Sequence, residues 1–234
     1  MRIYITGVSS GLGKALAEVF LNEGKAVIGL GRRNNIEHPN YNFIPCDLND
    51  PSSIEQYKFI ADEEGCILIN NAGVLGPLKR IINQEPSQIK EVMTVNALVP
   101  MLLCQKFLLE VPVKKRTAIL NISSGAANRA IPSWATYCAS KIALDRFSES
   151  IYMEELEMSR PFKIYSIAPG ILDTPMQQKI RSTSEQDFSD VAKFQAMHEN
   201  KQLLAPKEVA MKIVRFLTLP FDGRVVHSIA ELEN

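Results

Sequence analysis

The stretch Thr6-Gly-Val-Ser-Ser-Gly-Leu-Gly13 decides how this chain is expected to fold. It lies between a short β-rich run and an amphipathic run, where glycines let the backbone turn sharply and approach a pyrophosphate closely. The phosphate would then lie at a helix N-terminus, where unpaired N–H groups and the helix dipole bind anions. Glycines also serve plain turns, but the strand before and the helix after favour a dinucleotide site.

Downstream of this turn, short β-rich runs alternate with longer amphipathic runs along the whole chain. This alternation predicts a Rossmann-like doubly wound α/β fold, with a seven-stranded parallel sheet and helices on both faces. The strands are expected at 2–6, 26–30, 42–45, 66–70, 118–122, 163–167 and 224–229, and the helices at 12–23, 52–62, 86–110, 133–158 and 206–219.

The segment 173–202 differs from the rest, because it is polar and charged with isolated large apolar residues. We interpret it as short helices that form a lid over the substrate, although an ordinary pair of surface helices would show the same pattern. No linker or repeat divides the chain, and 234 residues with 46% hydrophobic content suit one buried core. Residues 1–234 are therefore expected to form one domain.

Charge and cysteine content limit the classes of partner. Lys and Arg number 26, as do Asp and Glu, so no overall field attracts nucleic acid or an anionic membrane. The four cysteines form no C-x-x-C pair, which suits a reducing cytoplasm. A strand directly follows Met1 and the strongest apolar stretch is 97–104, so we expect neither a leader nor a membrane span. The three histidines are isolated, and no metal site is predicted.

Further short motifs follow the glycine-rich turn in a fixed order. Asn70-Asn-Ala-Gly73 comes after the predicted fourth strand, Tyr137 and Lys141 form Y-x-x-x-K, and Pro169-Gly170 with Thr174 forms P-G-x-x-x-T. Each motif alone occurs by chance, whereas the ordered set spans the chain. Together they resemble the short-chain dehydrogenase/reductase family. The resemblance implies a nicotinamide-dependent oxidoreductase acting on C=O or CH–OH groups.

Four catalytic residues are expected from this resemblance and from the chemistry of carbonyl reduction. Hydride transfer to a carbonyl leaves negative charge on oxygen, which requires a proton donor there, and Tyr137 is the expected donor. Lys141, at i+4, lies on the same helical face, and its charge should lower the tyrosine pKa from about 10. The resemblance further implies that Lys141 binds the nicotinamide ribose, that Ser124 rather than Ser123 hydrogen-bonds the carbonyl, and that Asn96 holds a proton-relay water. Alternatively, Tyr137 is a core tyrosine and Asn96 a satisfied polar group.

The residues after the predicted second strand favour NADP(H) over NAD(H). An acidic residue there would bind the ribose 2′-hydroxyl and repel a 2′-phosphate, but this chain has Gly31 followed by Arg32 and Arg33. A guanidinium binds phosphate through charge-assisted hydrogen bonds, although arginines are also common in solvent. Asp47 matches the family's adenine contact and equally suits a helix N-cap region. The expected cofactor contacts are Gly7, Ser9, Ser10, Gly11, Leu12, Gly13, Arg32, Arg33, Asp47, Leu48, Asn71, Ala72, Gly73, Tyr137, Lys141, Pro169, Gly170, Leu172 and Thr174.

Four segments beyond these motifs resemble the branch of the family that contains sepiapterin and benzil reductases: 121–127, 133–138, 168–177 and 180–183. Trp134 could form an aromatic wall for a flat dicarbonyl, with Leu172 and Met176 extending an apolar pocket. All three could instead belong to the core. The resemblance implies a carbonyl reductase for a ketone or vicinal diketone, and sepiapterin is the alternative substrate.

One residue departs from the sepiapterin pattern. His227 stands at the position where sepiapterin reductases share an aspartate that anchors the pterin. A neutral imidazole cannot replace that aspartate as a charged acceptor. Glu231 or Glu233 would compensate if the C-terminal segment folded back. The expected substrate contacts are Ser124, Trp134, Tyr137, Leu172, Met176 and His227.

The region 92–109 is apolar nearly all round, so it should have apolar neighbours on more than one side. The family commonly pairs this helix and the tyrosine-bearing helix across a two-fold axis. The resemblance therefore implies a homodimer, with a tetramer left open. A different class of function, a non-catalytic NADP(H)-sensing regulator, would need the cofactor residues without the catalytic set.

Overall fold

Seven parallel strands form one sheet in a computed structural model that describes residues 1–114, 116–160 and 162–233, the last without the side chain of Glu233. Along the sheet the order is β3-β2-β1-β4-β5-β6-β7. β4 and β5 are buried along their whole length because helices cover both faces, which confirms the predicted fold. The strands are β1 (Arg2–Thr6), β2 (Ala26–Gly31), β3 (Tyr41–Pro45), β4 (Cys66–Asn70), β5 (Ala118–Ile122), β6 (Lys163–Ala168) and β7 (Val226–Ser228).

The helices divide between the two faces of the sheet. α1 and α7 pack against each other in one hydrophobic cluster, and α3 contributes to a second cluster on the opposite face. The bounds are α1 (Gly11–Asn22), α2 (Pro86–Met93), α3 (Val99–Glu110), α4 (Ala135–Glu157), α5 (Pro175–Arg181), α6 (Val191–Glu199) and α7 (Pro206–Thr218).

A π-helical turn at Thr94–Leu98 joins α2 to α3, so the predicted helix 86–110 is present but is not uniform. By length and composition the segment Pro86–Glu110 would be able to cross a membrane. However, 56% of its most apolar 18-residue stretch is buried inside the protein, as in the core helix of a globular domain. The apolar stretch is thus longer than the eight residues singled out from the sequence.

The predicted helix 52–62 is wrong. Only a short 3₁₀ turn, Pro51–Ile54, forms there, and the chain then runs without regular structure to β4. Tyr57 and Phe59 are buried on alternate positions, and the Phe59 ring lies edge-on to Tyr57 at 5.5 Å between centroids. The Phe59 N–H donates a hydrogen bond to the Glu110 carboxylate at 2.8 Å. Tertiary aromatic packing and a distant acceptor therefore replace the helical hydrogen bonds.

The C-terminal strand is shorter than predicted. β7 covers three residues rather than 224–229, because the chain turns into a 3₁₀ helix at Ile229–Glu233. β7 pairs with β6 in parallel, with His227 opposite Ile167.

The segment 173–202 forms α5 and α6, and its ends are tied together. Leu172 and Leu204 form an isolated parallel bridge, and the Asp173 N–H donates to the Leu204 carbonyl at 3.0 Å. Phe188 and Phe194 pack against Trp134, which directly precedes α4. The segment is therefore packed onto the beginning of the tyrosine-bearing helix, and its action as a lid stays a prediction.

Candidate active site

A cleft of about 470 Å³ lies beyond the carboxyl ends of the strands, a size typical of small-molecule sites. Residues that follow each of the strands β1 to β6 line it. The strand order reverses at β1, because β2 and β3 lie on one side of it and β4 to β7 on the other. Open α/β sheets bind their ligands at such a reversal point.

The glycine-rich turn forms one wall of the cleft and is locked to the turn after β4. The Thr6 hydroxyl accepts hydrogen bonds from the N–H groups of Asn71 and Ala72, both at 3.0 Å. Gly7 has φ +75°, and a Cβ there would lie 2.8 Å from the Ala72 Cα. Only glycine fits this conformation and this contact without displacing backbone.

Gly13 has a packing role that the sequence did not separate from cofactor binding. A Cβ at Gly13 would collide with the Asn71 side chain and the Gly7 carbonyl, and Gly13 does not line the cleft. The Asn71 amide donates to the carbonyls of Thr6 at 2.9 Å and Gly7 at 3.2 Å. Gly13 therefore lets α1 begin close to these bonds, and its expected contact with the cofactor stays a prediction.

Every other residue expected to touch the cofactor lines the cleft. Arg32 and Arg33 are exposed at its margin, directly after β2, and Asp47 and Leu48 lie beside them after β3. Backbone, serine hydroxyls and two guanidinium groups are the donor types that a dinucleotide phosphate chain needs. The residues present thus fit a nicotinamide dinucleotide.

Tyr137, Ser124 and Lys141 meet at the cleft, as expected. Ser124 lies beside Tyr137, and the interaction of its hydroxyl with the phenol acts to lower the tyrosine pKa. Burial has the larger effect, so the pKa of Tyr137 is raised rather than lowered. Ser123 also lines the cleft, but its hydroxyl has no partner among the described residues.

The Lys141 side chain is 4% exposed, with Nζ 5.8 Å from the centroid of the Tyr137 ring. Nζ donates to the Ile122 carbonyl at the end of β5, at 2.8 Å. Burial lowers the pKa of Lys141 to about 8, and the negative charge of Asp145 opposes this shift.

Asp145 was not predicted from the sequence. It lies one helical turn beyond Lys141 on α4, is buried, and accepts a hydrogen bond from the Ser166 hydroxyl at 2.6 Å. Its spacing of i+4 from Lys141 and i+8 from Tyr137 was the available signal.

Asn96 is fully buried in the π-helical turn and does not line the cleft. Its side chain accepts the Val74 N–H and donates to the Val74 carbonyl, both at 2.8 Å. It also donates to the Ser140 hydroxyl at 3.1 Å. Both amide hydrogens are therefore used to hold the turn after β4 against α4. π-Helical turns are frequent at functional sites.

Gly73 brings these groups together. A Cβ at Gly73 would lie 3.5 Å from Asn96 Oδ1 and 3.7 Å from Lys141 Nζ. The N-N-A-G turn, the π-helical turn and the catalytic helix therefore meet at one point beside the cleft.

The part of the cleft next to Tyr137 is mainly apolar. The Trp134 indole stacks on Phe194 at 5.7 Å and lies edge-on to the Tyr137 ring at 5.6 Å. Trp134, Leu172 and Met176 line the cleft as expected, and Phe194 was not predicted. Further residues that line the cleft, none of them named as a site residue from the sequence, are Leu75, Glu91, Val95, Ala126, Arg129, Ile131, Ile171, Gln177 and Ile180.

The structure does not bring His227 to the cleft. Its ring packs 4.9 Å from Phe216 and 6.2 Å from Tyr165, and Nε2 lies 2.9 Å from the Arg224 carbonyl. β7 pairs directly with β6, which buries this position beneath α7. Glu231 is bound to Arg224 at 2.8 Å and also lies outside the cleft, while the Glu233 side chain is outside the described residues.

Metal and disulfide chemistry find no support in the part of the chain that the structure describes. No cluster of three His, Cys, Asp or Glu side chains there could hold a metal ion. All four cysteines are free thiols.

Comparison with known proteins agrees with this geometry. A family model described as short chain dehydrogenase matches residues 1–185. Benzil reductase ((S)-benzoin forming) of Bacillus cereus is 37% identical over 233 residues, covering 92% of this chain and 93% of that protein. Sepiapterin reductase of Bos taurus is 31% identical over 207 residues, covering 77% and 76%. The solved structure of the KRED1-Pglu enzyme matches with a TM-score of 0.81 and 27% identity, over 96% of this chain and 99% of that one. The chain belongs to the short-chain dehydrogenase/reductase family and is an oxidoreductase acting on C=O or CH–OH groups.

Proposed function

We propose that this chain catalyses the NADPH-dependent reduction of a ketone, and that vicinal diketones are its preferred substrates. The observation that carries the proposal is the meeting of Ser124, Tyr137 and the buried Lys141 at an apolar end of the cleft. The similarity to a benzil reductase over nine-tenths of both chains supports the same class of substrate.

The proposed mechanism uses both hydroxyls. A nicotinamide dinucleotide supplies the hydride. Ser124 and Tyr137 donate hydrogen bonds to the carbonyl oxygen and stabilise its developing negative charge. Tyr137 then gives its proton to this oxygen, which requires a protonated phenol, and a raised pKa keeps it protonated near neutral pH. The charge of Lys141 stabilises the phenolate that remains.

Asn96 acts, in this proposal, as a positioning residue. The resemblance to the family assigns it a relay water, but its side-chain donors are bound to Val74 and Ser140. We propose that it fixes the distance between the turn after β4 and α4, and thereby the position of Lys141 next to Tyr137.

The choice of a diketone over sepiapterin rests on the absence of a C-terminal pterin anchor from the cleft. Of the candidate anchors whose side chains are described, His227 packs in the core and Glu231 pairs with Arg224. The aromatic cluster around Trp134 favours a flat apolar group next to the reacting carbonyl.

Replacing Tyr137 by Phe should lower kcat/KM at least about a hundredfold, because the proton donor is lost. The affinity for NADPH should remain nearly unchanged.

The wild type should reduce benzil and 1-phenyl-1,2-propanedione with NADPH more efficiently than sepiapterin, in a spectrophotometric assay of NADPH consumption. Comparable efficiency on sepiapterin would defeat the substrate assignment. NADPH binding without turnover of any carbonyl would indicate a sensor instead.

Replacing Arg32 by Ala should weaken NADPH binding by about tenfold to a hundredfold, the loss of one charge-assisted hydrogen bond. NADH binding should change little, because NADH lacks the 2′-phosphate. Fluorescence titration of both cofactors measures this, with Arg215→Ala, an exposed arginine on α7, as the control. Equal loss of both cofactors, or equal turnover of NADH and NADPH by the wild type, would contradict NADPH preference.

Replacing Asp145 by Asn should move the alkaline limb of the pH profile of kcat/KM to lower pH. The carboxylate raises the pKa of Lys141, so its removal lowers that pKa below about 8 and the ammonium is lost earlier as pH rises. The control is Ser166→Ala, which removes a hydrogen bond and keeps the charge. An unchanged alkaline limb in the Asn variant would show that Asp145 does not act on Lys141.

The proposal includes a homodimer. Large apolar side chains are exposed on the π-helical turn, α3 and α4, where a second copy would cover them. They are Leu98, Leu109, Ile142, Met153 and Leu156. Light scattering on the eluting protein should give twice the mass of one chain or a higher even multiple, and a monomer at micromolar concentration would contradict this proposal.

A further inference from the structure

Gln177 has an unusual environment for a carboxamide. It lies in the first turn of α5, is 2% exposed, and lines the cleft. Neither Oε1 nor Nε2 has a hydrogen-bond partner among the described residues. Each buried polar group left unpaired costs about 1–3 kcal/mol, so such groups in native proteins usually have a partner.

Trp134 presents a second unpaired donor in the same part of the cleft. The residue is 7% exposed and lines the cleft, and its indole Nε1 has no partner within the described chain. Phe188, Phe194 and Tyr137 hold the ring at centroid distances of 5.5, 5.7 and 5.6 Å. The indole is therefore fixed by packing, and its N–H is buried without a partner within the described chain.

The surroundings of Trp134 are apolar, and Ile180, which follows Gln177 on α5, belongs to the same cluster. The cluster that contains Trp134 and Tyr137 also includes Leu75, Leu78, Ala126, Ile131, Ile180, Phe188, Val191 and Phe194. In such surroundings a ligand oxygen is the natural partner for an unpaired donor, because ligand pockets combine apolar walls with a few placed polar groups.

We propose that Gln177 Nε2, together with Trp134 Nε1, recognises the second carbonyl oxygen of a vicinal dicarbonyl substrate. The assignment rests on the proposed function, in which Ser124 and Tyr137 bind the first carbonyl. A carbonyl oxygen accepts up to two hydrogen bonds, and both side-chain groups are donors. The Trp134 ring lies edge-on to the Tyr137 ring, with 5.6 Å between centroids, so the indole adjoins the residue that binds the reacting oxygen.

The arrangement explains how the cleft would select diketones. A monoketone fills the apolar space but leaves both donors unpaired, and sites built to hydrogen-bond a substrate group discriminate strongly against analogues that lack it. Gln177 is therefore a specificity-determining residue, and its removal should affect the two classes of ketone differently.

The test compares 1-phenyl-1,2-propanedione with 1-phenyl-1-propanone, which lacks the second carbonyl. In Gln177→Leu the ratio of kcat/KM for the dione to that for the monoketone should fall about tenfold or more, the loss of one hydrogen bond and the burial of an unpaired oxygen. Trp134→Phe keeps the ring packing and should lower the ratio in the same direction. It also keeps the question answerable if the Leu variant does not fold.

Gln178→Leu is the matched control, because Gln178 is the same residue type on the same helix and is exposed. This variant should keep the wild-type ratio. Equal loss on both ketones in Gln177→Leu, or an unchanged ratio, would overturn the assignment while the proposed function stands. Weakened NADPH binding without substrate would show that Gln177 contacts the cofactor instead and would also overturn it. A wild type that does not reduce the dione would overturn both proposals.

Discussion

A positive charge buried in the protein interior is the constraint on which the rest of the site depends. The Lys141 ammonium is nearly inaccessible to water, and burial brings its pKa close to physiological pH. The Ile122 carbonyl at the end of β5 and the carboxylate of Asp145 oppose that cost from two sides. The carboxyl end of β5 and helix α4 must therefore keep a fixed distance from each other. The same contacts position Tyr137, which lies one turn before Lys141 on α4.

The cofactor half and the catalytic half of the cleft are connected through the turn after β4. Asn71 and Ala72 bind Thr6 and the glycine-rich turn on one side. Asn96 binds Val74 and Ser140 on the other side, from a π-helical turn that places its side chain inward. A displacement of this turn would move the cofactor site and the tyrosine together, which is how one short loop keeps both in register.

Ordered motifs made the fold and most of the cleft predictable from the sequence. The glycine-rich turn, N-N-A-G and P-G-x-x-x-T lie at the carboxyl ends of β1, β4 and β6, which share one edge of the sheet, and Y-x-x-x-K lies on α4. Interactions between distant residues were not predictable. Segment 52–62 has a helical pattern, but Tyr57 and Phe59 gain more from the aromatic cluster around Phe107 than from a helix. His227 was assigned by position, and the pairing of β7 with β6 buries it. Gln177 lies in the segment 168–177, which carries the resemblance to the reductase branch, but its unpaired carboxamide is visible only in three dimensions.

Isotope tracing follows the hydride from NADPH to the carbonyl carbon of the substrate. The protein would be incubated with benzil and NADPH carrying deuterium on the face of C4 that donates the hydride, each face being labelled in a separate preparation. With one of the two labels, we expect one deuterium on the carbinol carbon of the hydroxyketone for each NADPH consumed. NADPH that is bound and released with its label intact, in the presence of either label, would contradict the account.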